Sequence, residues 1–137
     1  MLQIKKRKDG RAKFRFMSTI CFYQDTRHET NLYWIQKILG IGYISRRNDG
    51  MTELRINGYS QIERILKKLM SYIRFKKVQA RALYSASKLL ADMKYKVLSK
   101  KQLFLLVDLI LAIQSENYVT KKKKTKEELI SLLGLTP

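Results

Sequence analysis

The chain contains very little of the chemistry that small disulfide-linked or zinc-binding domains use. It has one cysteine, Cys21, and one histidine, His28, among 137 residues. An intrachain disulfide framework and a cysteine–histidine zinc site are therefore both excluded. With only one proline and six glycines, the chain also has no internal stretch with the composition of a linker. We expect a single domain, 1–137, with a core at 1–90 and C-terminal helices at 91–137.

The sequence also lacks an apolar run long enough to cross a membrane. The longest run, LFLLVDLILAI at 103–113, is shorter than the ~20 residues of a transmembrane helix, and Asp108 interrupts it. A buried helix fits that run better. The first residues, MLQIKKRKDG, are basic but are not followed by an apolar stretch, so they are not a secretory signal. We expect no membrane partner.

Acidic residues are scarce as well. Eleven Asp and Glu stand against 29 Lys and Arg, which gives a formal net charge of +18. A charge of this size destabilises a compact fold by self-repulsion unless a polyanion offsets it, and nucleic acid is the usual polyanion. Because 45% of the residues are apolar and periodic segments follow one another, we expect a globular domain and not a disordered basic tail.

Two β-hairpins are predicted from alternating apolar residues. The first spans 2–23, with a turn signal at Asp9-Gly10, and the second spans 42–56, with a turn at Asp49-Gly50. Between them, residues 24–40 predict a helix that ends at Gly40. Its apolar stripe consists of Leu32, Ile35, Ile38 and Leu39.

Four further helices are predicted after the second hairpin. Capping boxes at Ser60-x-x-Glu63, Ser99-x-x-Gln102 and Thr125-x-x-Glu128 predict the starts of three of them, and residues 75–90 form the fourth. The element order is therefore ββαββαααα. This order predicts an α+β fold in which a four-stranded antiparallel sheet packs on helices.

One face of the predicted sheet is basic. In the second strand Phe14, Phe16, Ile20 and Phe22 share a face, and the residues between them point to the other side. That other side collects the candidate DNA contacts Gln3, Lys5, Arg7, Lys13, Arg15, Thr19, Arg47, Glu53 and Arg55. A twisted ribbon can lie in the major groove, where Arg binds guanine, Gln reads adenine and Glu accepts from cytosine. A solvated face is the simpler alternative, but the same bias in both hairpins of so basic a chain favours DNA.

RNA is the alternative partner that is harder to exclude, because a basic composition suits RNA and DNA equally. Neither an RNP-like aromatic platform at the centre of the sheet nor a GxxG clamp is present in the sequence.

The stretch FYQDTRHETNLYWIQKILGIGYISRRNDGMTELRINGYSQIERILKKLMSYIRFKKVQARAL, at 22–83, carries further landmarks. Phe22-x-Gln24 ends the second strand, Leu39-Gly40-x-Gly42 leads into the third, and KKVQA at 76–80 follows the arginine-rich hairpin. In this order and spacing the chain resembles the LAGLIDADG homing endonucleases, in particular the small, single-motif, homodimeric, intron-encoded group. The resemblance spans roughly residues 2–90.

The resemblance implies a saddle-shaped sheet astride double-stranded DNA and site-specific double-strand cleavage, with Mg²⁺, at an intron-lacking site. It implies that Gln24 holds solvent near the scissile phosphate, that Lys76 stabilises developing charge or activates water, and that His28 lies beside the site. The loop TKKKKTK at 120–126 falls where the family touches the DNA backbone, which suits Lys121, Lys122, Lys123 and Lys124. A chloroplast, a mitochondrion or the bacterial cytoplasm is the implied location.

The sequence departs from the family at one element. The helix that names the family precedes the first strand and ends in the acidic residue that binds the metal, and no stretch here reads as LAGLIDADG. Met1 falls about where that helix should have ended, and Asp9, Asp25 and Asp49 are interpreted as turn or N-cap residues. We therefore expect no metal ligand in this chain, an exposed apolar sheet edge, and a homodimer if a LAGLIDADG helix is supplied.

Two alternatives from other functional classes stay open. One is a non-catalytic protein, either a maturase that helps its intron RNA to fold or a DNA-binding regulator. The other is a basic structural component of an RNA assembly.

Overall fold

A computed structural model describes residues 1–8, 13–93, 96–118 and 122–135, and in it strands and helices follow the predicted order. The strands are β1 (Leu2–Lys6), β2 (Phe14–Asp25), β3 (Tyr43–Arg46) and β4 (Met51–Asn57). The helices are α1 (Thr30–Leu39), α2 (Tyr59–Leu69), α3 (Lys77–Asp92), α4 (Lys100–Ser115) and α5 (Lys126–Leu132). A short 3-10 helix, Thr26–His28, joins β2 to α1. The predicted α+β class and element order are confirmed.

The four strands form one antiparallel sheet in the order β1-β2-β4-β3. The long strand β2 pairs with β1 through its first half, where Leu2 faces Ser18, and with β4 through its second half, from Thr19 onwards. The Arg7 N–H donates to the Lys13 carbonyl at 2.9 Å and continues the first hairpin past β1. The predicted Asp9-Gly10 turn lies outside the described residues. In the described chain, no strand pairs with the β1-side edge of the second half of β2.

The inner face of the sheet packs against α2, α3 and α4. Phe16, Ile56, Ile62, Ala86 and Leu106 belong to one buried cluster, and burial of a large aliphatic side chain stabilises the fold by about 1.5–3 kcal/mol. The apolar run at 103–113 lies within α4 and contributes five buried residues to the fold, as predicted. No helix of the described ranges has both the length and the apolar character that a bilayer crossing needs.

The helix starts agree with the predictions at two positions out of three. The Ser99 and Thr125 side chains each accept a backbone N–H in a complete capping box. The predicted Ser60 capping box is wrong, because the N-cap of α2 is Gly58, two residues earlier, and α2 begins at Tyr59 with no side-chain cap. The Tyr59 hydroxyl donates to the Phe16 carbonyl, and this contact holds the start of α2 on the sheet.

Helix α1 buries less of its predicted stripe than expected. It ends at Gly40, whose φ of 64° suits glycine, as the sequence predicts. Leu32 is buried, but Ile38 is 61% exposed, so the prediction that Ile38 faces the core is wrong. The main contacts of helix α1 are with β2, β3 and β4.

Candidate nucleic-acid interface

The strand register places the predicted DNA contacts of the two hairpins on a single face of the sheet. Lys5 lies opposite Arg15, Cys21 lies opposite Arg55, and Arg55 lies opposite Tyr43. Because side chains alternate along a strand, every second residue from these positions projects to the same side. The outer face, as we call it, therefore carries Gln3, Lys5, Arg7, Lys13, Arg15, Thr19, Arg47, Glu53 and Arg55, with Tyr23, Tyr43 and Ser45.

The β1–β2 end of the outer face carries four exposed cations, Lys5, Arg7, Lys13 and Arg15, which we call the hairpin cations. Lys5 stands directly opposite Arg15, and the backbone bond between Arg7 and Lys13 makes those two neighbours as well. Like charges at such cross-strand positions destabilise a sheet. None of the four is in an ion pair within the described residues. A polyanion bound here would relieve their mutual repulsion.

On the β3–β4 side of the outer face two arginines have acidic partners, Arg55 on β4 and Arg47 at the hairpin turn. The Arg55 guanidinium lies 2.7 Å from the Glu53 carboxylate, and that of Arg47 lies 2.7 Å from Asp49. The Arg47 guanidinium also lies 5.7 Å from the centre of the Tyr23 ring, within range of a cation–π contact. Charge-assisted pairs of this kind fix the direction of the remaining N–H groups. These arginines are therefore pre-oriented for directional contacts.

Two predicted contacts on the outer face are covered by their neighbours. Thr19 is 0% exposed, and its hydroxyl donates to Asn57 Oδ1 at 2.9 Å. The Glu53 side chain is 8% exposed and sits between Arg55 and Ser45. The prediction that Thr19 and Glu53 are exposed is wrong, because cross-strand packing on a sheet closes over short or paired side chains. Thr19 joins β2 to β4, and Glu53 orients Arg55.

A network of ion pairs fixes the chain beyond the end of β2. Asp25 caps the 3-10 helix by accepting the Arg27 N–H at 2.9 Å, and the Arg27 side chain holds the pKa of this carboxyl well below its usual range. The Glu29 carboxylate accepts from the Arg46 guanidinium and, at 2.7 Å, from the Thr52 hydroxyl. Arg46 first and Thr52 second lower the pKa of Glu29. The network joins the start of α1 to β3 and β4, and it confirms Asp25 as an N-cap residue.

The three candidate catalytic residues lie on separate elements. Gln24 is half-buried near the end of β2, where it pairs with Thr52 of β4, and His28 is exposed in the 3-10 helix. Lys76 is exposed just before α3 with a φ of 57°, the one positive φ outside glycine in the described chain. Lys76 lines the same groove as Phe22 and Tyr23. Within the described residues no hydrogen bond joins the three, so their common role stays a prediction.

An apolar groove of about 780 Å³ runs along the unpaired edge of β2. Its walls come from β2, α2, α3 and the end of α4, and include Ile20, Phe22, Ile65, Leu69, Ile73 and Leu83. Two large aromatic side chains of the α2–α3 connection, Tyr72 and Phe75, also line it and are 78% and 80% exposed. The groove is the exposed apolar sheet edge that the sequence predicts. Exposed apolar surface of this kind marks a contact site.

The C-terminal lysines are tied to α4 and not to the sheet strands. Lys122, Lys123 and Lys124 are exposed, whereas Lys121 lies outside the described residues. The Lys124 N–H donates to the Gln114 side chain at 2.8 Å, which fixes this loop against the end of α4. Their predicted contact with the DNA backbone stays a prediction.

Comparison with known proteins decides the family. A family model for LAGLIDADG endonucleases matches residues 1–85. This chain belongs to the LAGLIDADG endonuclease family. A relative, DNA endonuclease I-CvuI of Chlorella vulgaris, is 35% identical over 92 residues, which cover 67% of this chain and 57% of the relative. The matched part thus spans little more than half of that protein.

Solved structures support the same assignment. The crystal structure of I-CvuI with an I-CreI target, in 2 mM Mg and with the DNA not cleaved, has a TM-score of 0.71 at 28% identity, covering 99% of this chain and 86% of that one. The archaeal intron-encoded I-Vdi141I, complexed with DNA, has a TM-score of 0.80 at 20% identity, covering 97% and 84%. At 20% identity, the similarity to I-Vdi141I shows a shared fold and nothing more.

Four carboxylates of this LAGLIDADG chain, within the described residues, are held by arginines and do not fit a site for a divalent metal. Mg²⁺ needs carboxylate oxygens that are free to enter an octahedral shell. Asp25, Glu29, Asp49 and Glu53 each form an ion pair with an arginine. No group of three His, Cys, Asp or Glu side chains in the described part of the chain is arranged to hold a metal ion. In this arrangement these four carboxylates are therefore not free to ligate Mg²⁺.

Sequence reasoning missed the acidic partners of the LAGLIDADG arginines. Glu53 and Arg55 are two residues apart on one strand, so they share a face, and Arg47 directly precedes the hairpin turn in which Asp49 lies. That spacing is a signal from which both pairs could have been found. The positive φ of Lys76 carries no comparable signal, because such a backbone conformation is unusual for lysine.

Proposed function

We propose that the chain binds double-stranded DNA at a specific site through the outer face of its sheet, as the DNA-reading body of a homing endonuclease. The observation that carries the proposal is the division of one face into hairpin cations without ion pairs and the pre-oriented Arg47 and Arg55. Free cations suit phosphate groups, and oriented guanidinium groups suit guanine edges. The DNA-bound crystal structure of the relative I-CvuI supports the proposal.

The test is selection of a site from a random duplex library by the purified chain. We expect repeated rounds at moderate salt to enrich one sequence. The double variant K13Q/R15Q should weaken the binding of every duplex and leave the enriched sequence unchanged, because phosphate contacts carry no sequence information. Retention of all duplexes without enrichment would contradict site-specific binding and leave only a basic surface.

We propose catalytic roles around the end of β2 for the cleavage reaction of the family. Gln24 would position solvent through its amide, Lys76 would offset charge on the scissile phosphate, and His28 would stand beside them. The described residues offer no free carboxylate cluster for Mg²⁺. We therefore expect the chain by itself to retain its selected site without cutting it. A linear product from a plasmid with that site and Mg²⁺ would contradict this expectation.

We propose that the apolar groove is where a LAGLIDADG helix completes the fold and allows a homodimer. Ile65, Leu69 and Leu83 line a surface of the size and polarity that the apolar side of a helix covers. Fusion of a LAGLIDADG helix to the N-terminus should bury this surface. Analytical ultracentrifugation should then give twice the mass of the fused chain, and the variant Leu69→Glu should stay monomeric. A monomeric fusion with Leu69 intact would contradict the proposal.

A further inference from the structure

The stretch from the middle of α2 to the last turn of α3 is cationic and contains no acidic residue, although Glu63 and Asp92 flank it. From position 64 to position 91 the sequence has no Asp or Glu, whereas it has Arg64, Lys67, Lys68, Arg74, Lys76, Lys77, Arg81 and Lys88. Six of these lie within the two helices and all six are exposed; we call them the helical cations: Arg64, Lys67, Lys68, Lys77, Arg81 and Lys88. Within the described residues none of the six is in an ion pair.

The helical cations point away from the sheet. On α2 the buried residues Ile62, Ile65 and Leu66 pack into the core, and Arg64 lies on the opposite side of the helix. On α3 the buried Ser87 hydroxyl donates to Ser18 of β2 at 3.1 Å, so this side of α3 rests on the sheet. Lys77, Arg81 and Lys88 lie on the side of α3 opposite to its buried residues as a group. The helical cations and the outer face of the sheet are therefore turned to different sides of the protein.

The cations of α3 form a straight row. Lys77, Arg81 and Lys88 are spaced i, i+4 and i+11, which places them along one side of the helix. With a rise of about 1.5 Å per residue the row is roughly 16 Å long. Ser85 is exposed beside it. Lys, Arg and Ser side chains often contact phosphate oxygens, and such contacts carry no sequence information.

The chemistry of this surface favours nucleic acid over other anionic partners. A protein interface needs apolar or aromatic anchors at its centre, and a helix that lies on a membrane turns its apolar side outward. The main apolar sides of α2 and α3 are turned into the core. What these helices present outward is mostly charge.

We propose that the helical cations form a second, sequence-independent surface for duplex DNA, which holds a second segment while the outer face holds the target. The inference rests on the proposed function, because the polyanion most concentrated around a DNA-bound protein is more of the same DNA. With binding surfaces on different sides, one protein bridges two segments. Contacts of this purely electrostatic kind allow transfer between segments of DNA.

A two-step capture experiment tests the bridge. The selected target duplex is immobilised, the protein is loaded and the excess washed away, and a labelled duplex of unrelated sequence is added. We expect the wild type to capture the second duplex. The variant K77Q/R81Q/K88Q should lower this capture at least fivefold and leave retention on the first duplex within twofold. The control K37Q/K100Q/K101Q removes the same charge from exposed positions elsewhere and should leave both readings within twofold.

The two steps separate the possible failures. Loss of retention on the first duplex by the wild type would refute the proposed function. Normal retention with equal second capture by wild type and K77Q/R81Q/K88Q would overturn the second surface. If an RNA duplex of equal length displaces the second segment at a tenfold lower concentration than DNA does, the surface belongs to RNA and the assignment to DNA is overturned.

Discussion

The arginines of the β3–β4 hairpin and the cations of α2 and α3 carry the same charge, but only the arginines of the hairpin are in ion pairs in the part of the chain that the structure describes. Arg46, Arg47 and Arg55 each have a carboxylate partner, whereas residues 64–91 contain no acid at all. A paired guanidinium keeps one orientation, and an unpaired lysine on a helix surface keeps most of its rotamer freedom. The molecule thus separates cations that are placed to recognise a pattern from cations that attract any polyanion.

The largest effect is expected from removing one partner of the Glu53–Arg55 ion pair, the least exposed ion pair of the described chain. Glu53→Ala leaves the Arg55 side chain, 29% exposed, without its counter-ion. Breaking a fully buried pair costs about 3–5 kcal/mol, and because Arg55 keeps contact with water we expect a loss of about 2 kcal/mol in the free energy of unfolding. Urea denaturation followed by circular dichroism measures it.

A matched control for that variant is Asp49→Asn, which removes the partner of Arg47. Both side chains of this pair are about half exposed, at 46% and 50%. Exposed pairs contribute about 0–1 kcal/mol. Equal losses for the two variants would show that burial does not distinguish the pairs.

A second effect concerns base preference. Arg47→Ala should cost about 1–3 kcal/mol of discrimination at one base pair of the selected site. Binding to a set of duplexes that each carry a single base change measures this discrimination. A uniform fall in affinity across the set would mean that the β3–β4 hairpin does not read bases.

Replacement of the exposed lysines at 122–124 should change DNA affinity without changing base preference. Joint replacement of Lys122, Lys123 and Lys124 by Gln should weaken the binding of all duplexes alike, because these exposed lysines suit phosphate contacts. The plot of log K against log salt has a negative slope, and each lost phosphate contact makes that slope less negative by about 0.9. Titration at several salt concentrations measures the slope. An unchanged slope would place this loop away from the DNA.

The smallest effect is expected in the dependence of stability on pH. Because Arg46 and Thr52 lower the pKa of Glu29 in the folded state, this carboxylate stabilises the fold above its unfolded pKa of about 4.3, and the contribution is lost as the pH falls through the folded value. Glu29→Gln should therefore lose less stability than the wild type between pH 6 and pH 3. Urea denaturation at both pH values gives the comparison, and identical pH profiles would refute a role for Glu29.

The fold was largely predictable from the sequence because its periodic signals are local. Alternation in the two hairpins, the Ser99 and Thr125 capping boxes and the apolar run of α4 all depend on neighbours within a few residues. The failures at Ser60 and Ile38 have a tertiary cause. Contact of Tyr59 with Phe16 holds the start of α2 on the sheet, and α1 has its main contacts with the strands, which leaves Ile38 exposed to water.

The sequence predicts which residues lie on the outer face of the sheet, but not which of them are exposed there. Alternation assigns Thr19 and Glu53 to the outer face correctly, but it does not reveal that Asn57 and Arg55 cover them. Coverage depends on which residues the register brings opposite each other, and the register depends on the whole sheet. The groove beside β2 combines side chains from four elements, so only the exposed apolar edge, not its extent, could be inferred beforehand.

The open edge of β2 has a consequence for handling the protein. Unpaired N–H and C=O groups next to an apolar groove are a template onto which a strand from another molecule can add. Molecules that each carry a net charge of +18 repel one another at low ionic strength, and this repulsion keeps such edges apart. Added salt removes the repulsion without covering the edge, so concentrated stocks should be colloidally most stable in dilute buffer and should turn turbid as salt rises.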